Sequence, residues 1–131
     1  MGQPVVHFEI GSTRPDIARA FYEDLFGWSI TTDAMSGYGM IETGAADGIG
    51  GGLMPAGDDM PPYVAFYVAV PDLEAALRKA EDLGAKRLVE PTPVPGMGAF
   101  ATLTDPDGNP IGLLRMDEAE GERPAGQAGG S

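Results

Sequence analysis

His7 and Glu9 are the residues whose types and spacing first suggest chemistry. They lie two positions apart in Val5-Val6-His7-Phe8-Glu9-Ile10, and His7 is the only histidine of the chain. This stretch reads as a β-strand, in which alternate side chains point to opposite faces, so His7 and Glu9 share one face and Phe8 and Ile10 the other. A carboxylate beside an imidazole raises the histidine pKa and can orient it as a general acid or base. The pair is therefore a candidate catalytic pair. The plainer alternative is a strand-end histidine that is hydrogen-bonded to backbone or to Glu9.

A second strand, Tyr63 to Val70, divides in the same way. Phe66, Val68 and Val70 are expected on its packing face, with Ala65, Tyr67 and Ala69 opposite them. Tyr67 is expected to lie opposite Glu9, where it can donate a hydrogen bond to a ligand. Between the two strands, the run Gly50-Gly51-Gly52 carries no side chains, which typically marks a bulge or the close approach of another group. We expect this run to leave room for a bulky ligand. The predicted ligand-pocket residues are Tyr38, Met40, Met54, Tyr67 and Phe100.

Composition excludes several classes of function. The 131 residues include 8 Lys or Arg against 20 Asp or Glu, for a net charge of −12, which repels nucleic-acid backbones and anionic membranes. The chain has no cysteine, so disulfides and thiolate chemistry are excluded. No apolar run reaches membrane-spanning length, and the cytoplasm is the expected compartment.

The elements that position these residues follow a repeated order of strand, helix and three strands. Apolar residues at helical spacing predict a first helix that begins near Thr13 and Pro15 and stops at Gly27, and a second that begins at Asp72 and stops at Gly84. The two stops define a repeat of about 57 residues. We expect one α+β domain over 1–118, with modules over about 4–57 and 61–117, and a flexible tail over 118–131. The apolar stripes predicted to pack are Ile17, Ala20, Phe21, Leu25 and Phe26 on the first helix and Leu73, Ala76, Leu77, Ala80 and Leu83 on the second.

The repeated βαβββ pattern, with Val5-Val6-His7 at its start, Leu25-Phe26-Gly27-Trp28 at the first helix end and Asp105-Pro106-Asp107-Gly108-Asn109 before the last strand, resembles the vicinal oxygen chelate superfamily. This superfamily includes glyoxalase I, extradiol dioxygenases and the bleomycin and fosfomycin resistance proteins. The resemblance covers roughly residues 4–116. It implies a cup-shaped mixed sheet around a pocket, frequent homodimerisation, and in the enzymes a divalent metal held by two His and two Glu.

Of the four metal-ligand positions that the resemblance implies, this sequence has a matching residue at one. His7 matches the histidine of the first strand, whereas Ala65 stands at the second histidine position. The two glutamate positions fall on Gly112 and on Gly50 or Gly52. Zinc, iron and manganese sites generally need three or more protein ligands, so no metal cofactor is predicted. An unconventional metal site that recruits Glu9 or Glu42 stays open as an alternative.

Three functions are carried forward. The first is a small-molecule-binding protein that lacks the usual metal ligands and holds an apolar or aromatic ligand, in a sequestering or resistance role. The second is a metal-independent or atypical-metal isomerase, lyase or cyclase in which His7 and Glu9 move a proton. The third is a structural domain that binds a protein partner through its acidic surface.

Overall fold

The computed structural model describes residues 2–57, 61–94 and 98–116. These residues form two compact units, one over Pro4–Val68 and one that begins at Ala69. The predicted α+β class and its repeated order of strand, helix and three strands are confirmed. The tail predicted over 118–131 lies outside the described residues. The elements are β1 Val5–Ser12, α1 Pro15–Phe26, β2 Ser29–Thr32, β3 Gly39–Glu42, β4 Gly50–Pro55, β5 Tyr63–Ala69, α2 Leu73–Asp82, β6 Lys86–Val94, β7 Gly98–Thr104 and β8 Pro110–Met116.

The N-terminal unit contains a mixed sheet in the order β2-β3-β4-β1-β5. β1 runs parallel to β4 and antiparallel to β5, so it lies between the two strands that flank the candidate site. One face of this sheet packs on α1. Its core consists of Ile10, Ile30, Ile41 and Leu53, with Phe8, Ala18, Tyr22 and Trp28 packed against it. The opposite face carries His7 and Glu9, and we call it the His7 face.

Helix α1 packs through a different side than its apolar stripe predicts. Ile17 is 57% exposed and Phe21 is 55% exposed, while Tyr22 packs on the core and stacks on Trp28. The side of α1 that carries Ala18 and Tyr22 faces the core, and on β2 the Glu23 carboxylate accepts a hydrogen bond from the backbone N–H of Ile30 at 3.1 Å. The predicted packing of the Ile17, Phe21, Leu25 and Phe26 stripe is therefore wrong.

The ends of α1 follow the sequence only in part. Pro15 lies in the first turn as predicted, but the residue before the helix is Arg14, and no side chain caps the N-terminus, so Thr13 is not the cap. Gly27 ends the helix in the left-handed conformation, with φ of 73°. Glycine adopts this conformation without the strain that a Cβ brings, which is why the predicted stop is confirmed.

Strand β5 is also more buried on the face that was not expected to pack. Ala65 is 8% exposed and Tyr67 is 5% exposed, whereas Val64 is 68% exposed and Phe66 is 42% exposed. Alternation correctly separated the two sets of side chains, but it does not determine which set is covered. The expected packing role of Phe66 is therefore corrected.

The C-terminal unit places α2 on an antiparallel sheet of β6, β7 and β8. Asp72 caps α2 as predicted, because its carboxylate accepts the backbone N–H of Ala75 at 3.0 Å. Leu73 and Leu77 of the predicted stripe are buried, while Leu83 at the helix end is exposed. In the described part of the chain, no helix is long and apolar enough to cross a membrane.

Candidate functional site

Five polar and aromatic side chains of the N-terminal unit meet on the His7 face, and we call them the polar cluster. They are His7, Glu9, Tyr38, Tyr63 and Tyr67. β1 contributes the first two, β5 contributes Tyr63 and Tyr67, and Tyr38 directly precedes β3. Four of the five are partly buried, and Tyr67 is buried. The sheet register thus brings together residues from three separate segments of the sequence.

Glu9 is held by two tyrosine hydroxyls, one on each carboxylate oxygen. Tyr67 donates to Oε1 at 3.1 Å, and Tyr63 donates to Oε2. Tyr67 pairs with His7 rather than with Glu9 in the β1–β5 register, so its expected position opposite Glu9 is wrong, although its long side chain still reaches the carboxylate. Hydrogen bonds to an ionised carboxylate are stronger than neutral ones, so this pair of contacts fixes the orientation of Glu9.

Tyr63 is the member of the cluster that the sequence analysis missed. Strand alternation could have identified it, because residues 63, 65 and 67 lie on the same face of the strand. Its cross-strand partner is Gly11, and a side chain on Gly11 would collide with the Tyr63 ring. The lack of a side chain at Gly11 therefore makes the position of Tyr63 possible.

His7 contacts two tyrosines of the cluster. Its Nε2 lies 3.1 Å from the hydroxyl of Tyr38, and its ring meets that of Tyr67 edge to face, with centroids 5.5 Å apart. Whether the imidazole donates or accepts in the first contact depends on its tautomer. The contact joins β1 to the segment before β3 across the intervening strand β4.

The space beside the glycines of β4 is filled in part by aromatic side chains of the protein. A side chain on Gly52 would overlap the phenol of Tyr38, and one on Gly51 would overlap the ring of Phe8 on the opposite face. The expectation that Gly50-Gly51-Gly52 leaves room for a bulky ligand is therefore corrected at these two positions. Their bare backbone admits one aromatic ring on each side of the sheet.

Burial determines the protonation states in the cluster. It lowers the pKa of His7 below 6.5 and outweighs the opposing attraction of Glu9, so the raised pKa expected from the neighbouring carboxylate is wrong. Burial and the Glu9 charge raise the pKa of Tyr38 to about 12, and the pKa values of Tyr63 and Tyr67 are raised by burial and by Glu9. At neutral pH the imidazole is uncharged and all three phenols keep their protons.

The remaining predicted pocket residues divide between the two units. Met40 pairs with Gly52, and Met54 pairs with Gly11, so both lie on the His7 face, where they are 45% and 41% exposed. Phe100 belongs to β7 of the C-terminal unit, where it is partly buried and pairs with Leu114.

The residues present do not fit the four-ligand metal centre that the resemblance implies. Ala65 and the glycines of β4 offer no side-chain ligand atoms at the matching positions. Among the described residues, no three His, Cys, Asp or Glu side chains are grouped closely enough to hold a metal ion. Glu42 follows Met40 by two residues on β3 and so shares its face, but it joins no such group.

Comparisons with known proteins agree with this architecture. A family model described as the Glyoxalase/Bleomycin resistance protein/Dioxygenase superfamily matches residues 5–113. A protein named "Putative glyoxylase CFP32" from Mycobacterium bovis is 34% identical over 110 residues, covering 82% of this chain and 42% of its own length. The anthracycline biosynthesis protein DnrV from Streptomyces peucetius is 30% identical over 143 residues, covering 93% of this chain and 50% of its own. The chain thus spans half or less of the length of these two relatives.

Solved structures share the fold at low sequence identity. Methylmalonyl-CoA epimerase from Mycobacterium tuberculosis superimposes with a TM-score of 0.58 at 18% identity, over 86% of this chain and 87% of that one. At this identity the likeness is one of fold alone.

Proposed function

We propose that this chain, which belongs to the Glyoxalase/Bleomycin resistance protein/Dioxygenase superfamily, binds a small organic molecule on the His7 face without a metal centre. The observation that carries the proposal is that the Glu9 carboxylate accepts hydrogen bonds from the hydroxyls of Tyr63 and Tyr67. The carboxylate is fixed in place by phenols, which is the arrangement of a recognition site with oriented polar groups. The relatives named "Putative glyoxylase CFP32" and "Anthracycline biosynthesis protein DnrV" support this proposal, because both names refer to the chemistry of small organic molecules.

The surroundings of the polar cluster support an apolar or aromatic ligand. Met40 and Met54 present partly exposed thioether side chains on the same face, and methionine adapts to irregular apolar surfaces. The rings of Tyr38 and Tyr63 add aromatic surface beside them. We therefore propose that the cluster orients the polar group of a ligand whose remaining surface is apolar. Sequestration of such a molecule, homodimerisation and a cytoplasmic location stay predictions.

The proposal is tested by ligand binding and by metal analysis of the purified protein. Aromatic compounds that bind the folded state raise its melting temperature, by an amount that grows with ligand concentration. Native mass spectrometry identifies any small molecule that co-purifies. His7→Ala removes one side of the polar cluster, and we expect it to weaken binding. Stoichiometric zinc, iron or manganese, or an undiminished affinity in His7→Ala, would contradict the proposed site.

A second candidate function is proton transfer by a metal-independent isomerase, lyase or cyclase. The observation in its favour is the uncharged His7 imidazole, hydrogen-bonded to Tyr38 and on the same face as Glu9. A neutral imidazole can accept a proton from a bound molecule, and Glu9 stabilises the imidazolium that results. Incubation of a bound ligand in heavy water separates the two functions. Deuterium incorporation that is lost in His7→Gln indicates an enzyme, and its absence from every bound ligand favours the binding function.

A further inference from the structure

We infer that the ligand group recognised by the polar cluster is a protonated amine. This inference rests on the proposed function, because it specifies the chemistry of the molecule that the His7 face binds. It is carried by three properties of the cluster: which hydrogen-bonding groups are already used, which charges lie near it, and which side chains lie next to the Glu9 carboxylate.

The first property is the balance of donors and acceptors. Tyr63 and Tyr67 each donate their hydroxyl proton to one oxygen of Glu9, so neither has a donor left for a ligand. His7 and Tyr38 share one further hydrogen bond. A carboxylate has about four acceptor sites, and a phenol oxygen that donates can still accept. The unused capacity of Glu9, Tyr63 and Tyr67 is therefore acceptor capacity, while the His7–Tyr38 pair keeps one donor. An ammonium group, with three donors and no acceptor, is its complement.

The second property is the local charge. Arg14 and Arg19 are the only Lys or Arg residues between Pro4 and Val68. Arg19 lies in α1, where it is paired with Glu23, and Arg14 is the exposed residue directly before that helix. Within residues 4–57 and 61–68, no ion pair to Glu9 is present. A phosphate or carboxylate ligand would meet the negative charge of Glu9, which no ion pair within these residues offsets, whereas an ammonium group would neutralise that charge.

The third property is the chemistry of the side chains next to the carboxylate. Tyr63 and Tyr67 reach Glu9 through their hydroxyls, so two phenol oxygens with lone pairs that can accept from an ammonium group lie beside it. His7 stays uncharged beside them, because burial lowers its pKa, and so it does not repel a cation. The net charge of −12 also attracts a cationic ligand over longer distances.

The test compares three probes that share one aromatic ring system and differ in charge: naphthylmethylammonium, naphthylmethanol and naphthoate. Isothermal titration calorimetry at neutral pH measures their affinities for the full chain. We expect the ammonium probe to bind roughly 10-fold or more tightly than the alcohol, since a hydrogen bond to a charged group gains about that factor. We expect the naphthoate to bind most weakly. The ammonium affinity falls with added salt, while that of the alcohol does not.

The outcomes separate this inference from the proposed function. If the alcohol binds as tightly as the ammonium probe, the cationic specificity is overturned and the small-molecule site stands. If the naphthoate binds most tightly, the site recognises anions and the inference is wrong. If none of the three binds, both the inference and the proposed function fail.

A matched pair of variants assigns the effect to Glu9. Glu9→Gln keeps the shape of the side chain and removes its charge, and we expect the ammonium affinity to fall roughly 10- to 100-fold with little change for the alcohol. Asp24→Asn makes the same change in net charge at an exposed position of α1, and it should leave both affinities unchanged. Equal losses for both probes in Glu9→Gln would reduce Glu9 to a structural role and overturn the inference. The probe comparison and its salt dependence use the unaltered chain, so the test survives even if the variant does not fold.

Discussion

The phenol of Tyr38 occupies the space into which a side chain on Gly52 would project, and from there its hydroxyl lies 3.1 Å from Nε2 of His7. The hydrogen bond between His7 and Tyr38 therefore requires that residue 52 has no side chain. The backbone of Gly52 is not in the left-handed region, so the requirement for glycine is steric.

Substitution of Gly52 by alanine should displace Tyr38 and break its contact with His7. We expect a loss of roughly 1–3 kcal/mol in the free energy of unfolding, as for other insertions into tightly packed sites. Urea denaturation measures the loss. Gly57→Ala is the control, since a Cβ there meets nothing within 4 Å and should change stability by less than about 0.5 kcal/mol. Equal effects of the two substitutions would contradict the steric role of Gly52.

Removal of the Tyr63 hydroxyl should destabilise the N-terminal unit through Glu9. Tyr63→Phe leaves one carboxylate oxygen without its phenol donor, at an expected cost of roughly 1 kcal/mol for a partly buried, charge-assisted hydrogen bond. Tyr22→Phe removes the same atom from a tyrosine that packs on the core through its ring, and it should be nearly neutral. Chemical denaturation of both variants tests this, and a neutral Tyr63→Phe would show that the Glu9 contact contributes nothing to stability.

The titration of His7 should have its midpoint below pH 6.5. Burial lowers the pKa of this imidazole in the folded state, so the unfolded chain takes up the proton first as the pH falls. Stability should therefore decrease as the pH drops below about 6.5 and level off once the folded-state pKa is passed. Proton NMR follows the single histidine directly. Relative to His7→Gln, the wild-type chain should lose unfolding free energy in this window, and a midpoint above 6.5 would contradict the dominance of burial.

The exposed stripe of α1 should tolerate truncation that the core does not. Leu25 is 57% exposed and Ile41 is 2% exposed in the same unit. Ile41→Ala removes buried methyl groups and leaves a cavity, at an expected cost of roughly 2–5 kcal/mol. Leu25→Ala should cost less than about 0.5 kcal/mol. Thermal unfolding of the pair measures the difference, and similar losses would mean that this side of α1 is covered in solution.

Arg87 should contribute more to stability than the neighbouring Arg78. Its guanidinium pairs with Glu74, Glu81 and Glu90 at 2.7–3.1 Å, and its side chain is 16% exposed, whereas Arg78 pairs, among the residues that the structure describes, with Glu74 only and is 74% exposed. Arg87→Met leaves three carboxylates without their shared cation, so like charges repel. The melting temperature should fall further than in Arg78→Met, most of all at low salt. Equal shifts would contradict the network.

Much of this protein could be predicted from the sequence because it depends on local patterns. The order of strands and helices follows from apolar periodicity, and the stop at Gly27 follows from the left-handed conformation that glycine favours. The cap at Asp72 follows from its side-chain oxygen. The sharing of one face by His7 and Glu9 follows from strand alternation. Each of these features needs only residues within a few positions of one another.

The tertiary structure decided everything that depends on register and burial. Periodicity predicted that an apolar stripe of α1 packs, but those side chains are largely exposed and Tyr22 packs on the core instead. A neighbouring carboxylate predicted a raised pKa for His7, but burial, which the sequence does not show, lowered it. The pairing of β1 with β5 brought Tyr63 to Glu9 across 54 positions of the chain. Such contacts depend on which strands become neighbours and how they align, and this is settled only when the whole sheet packs.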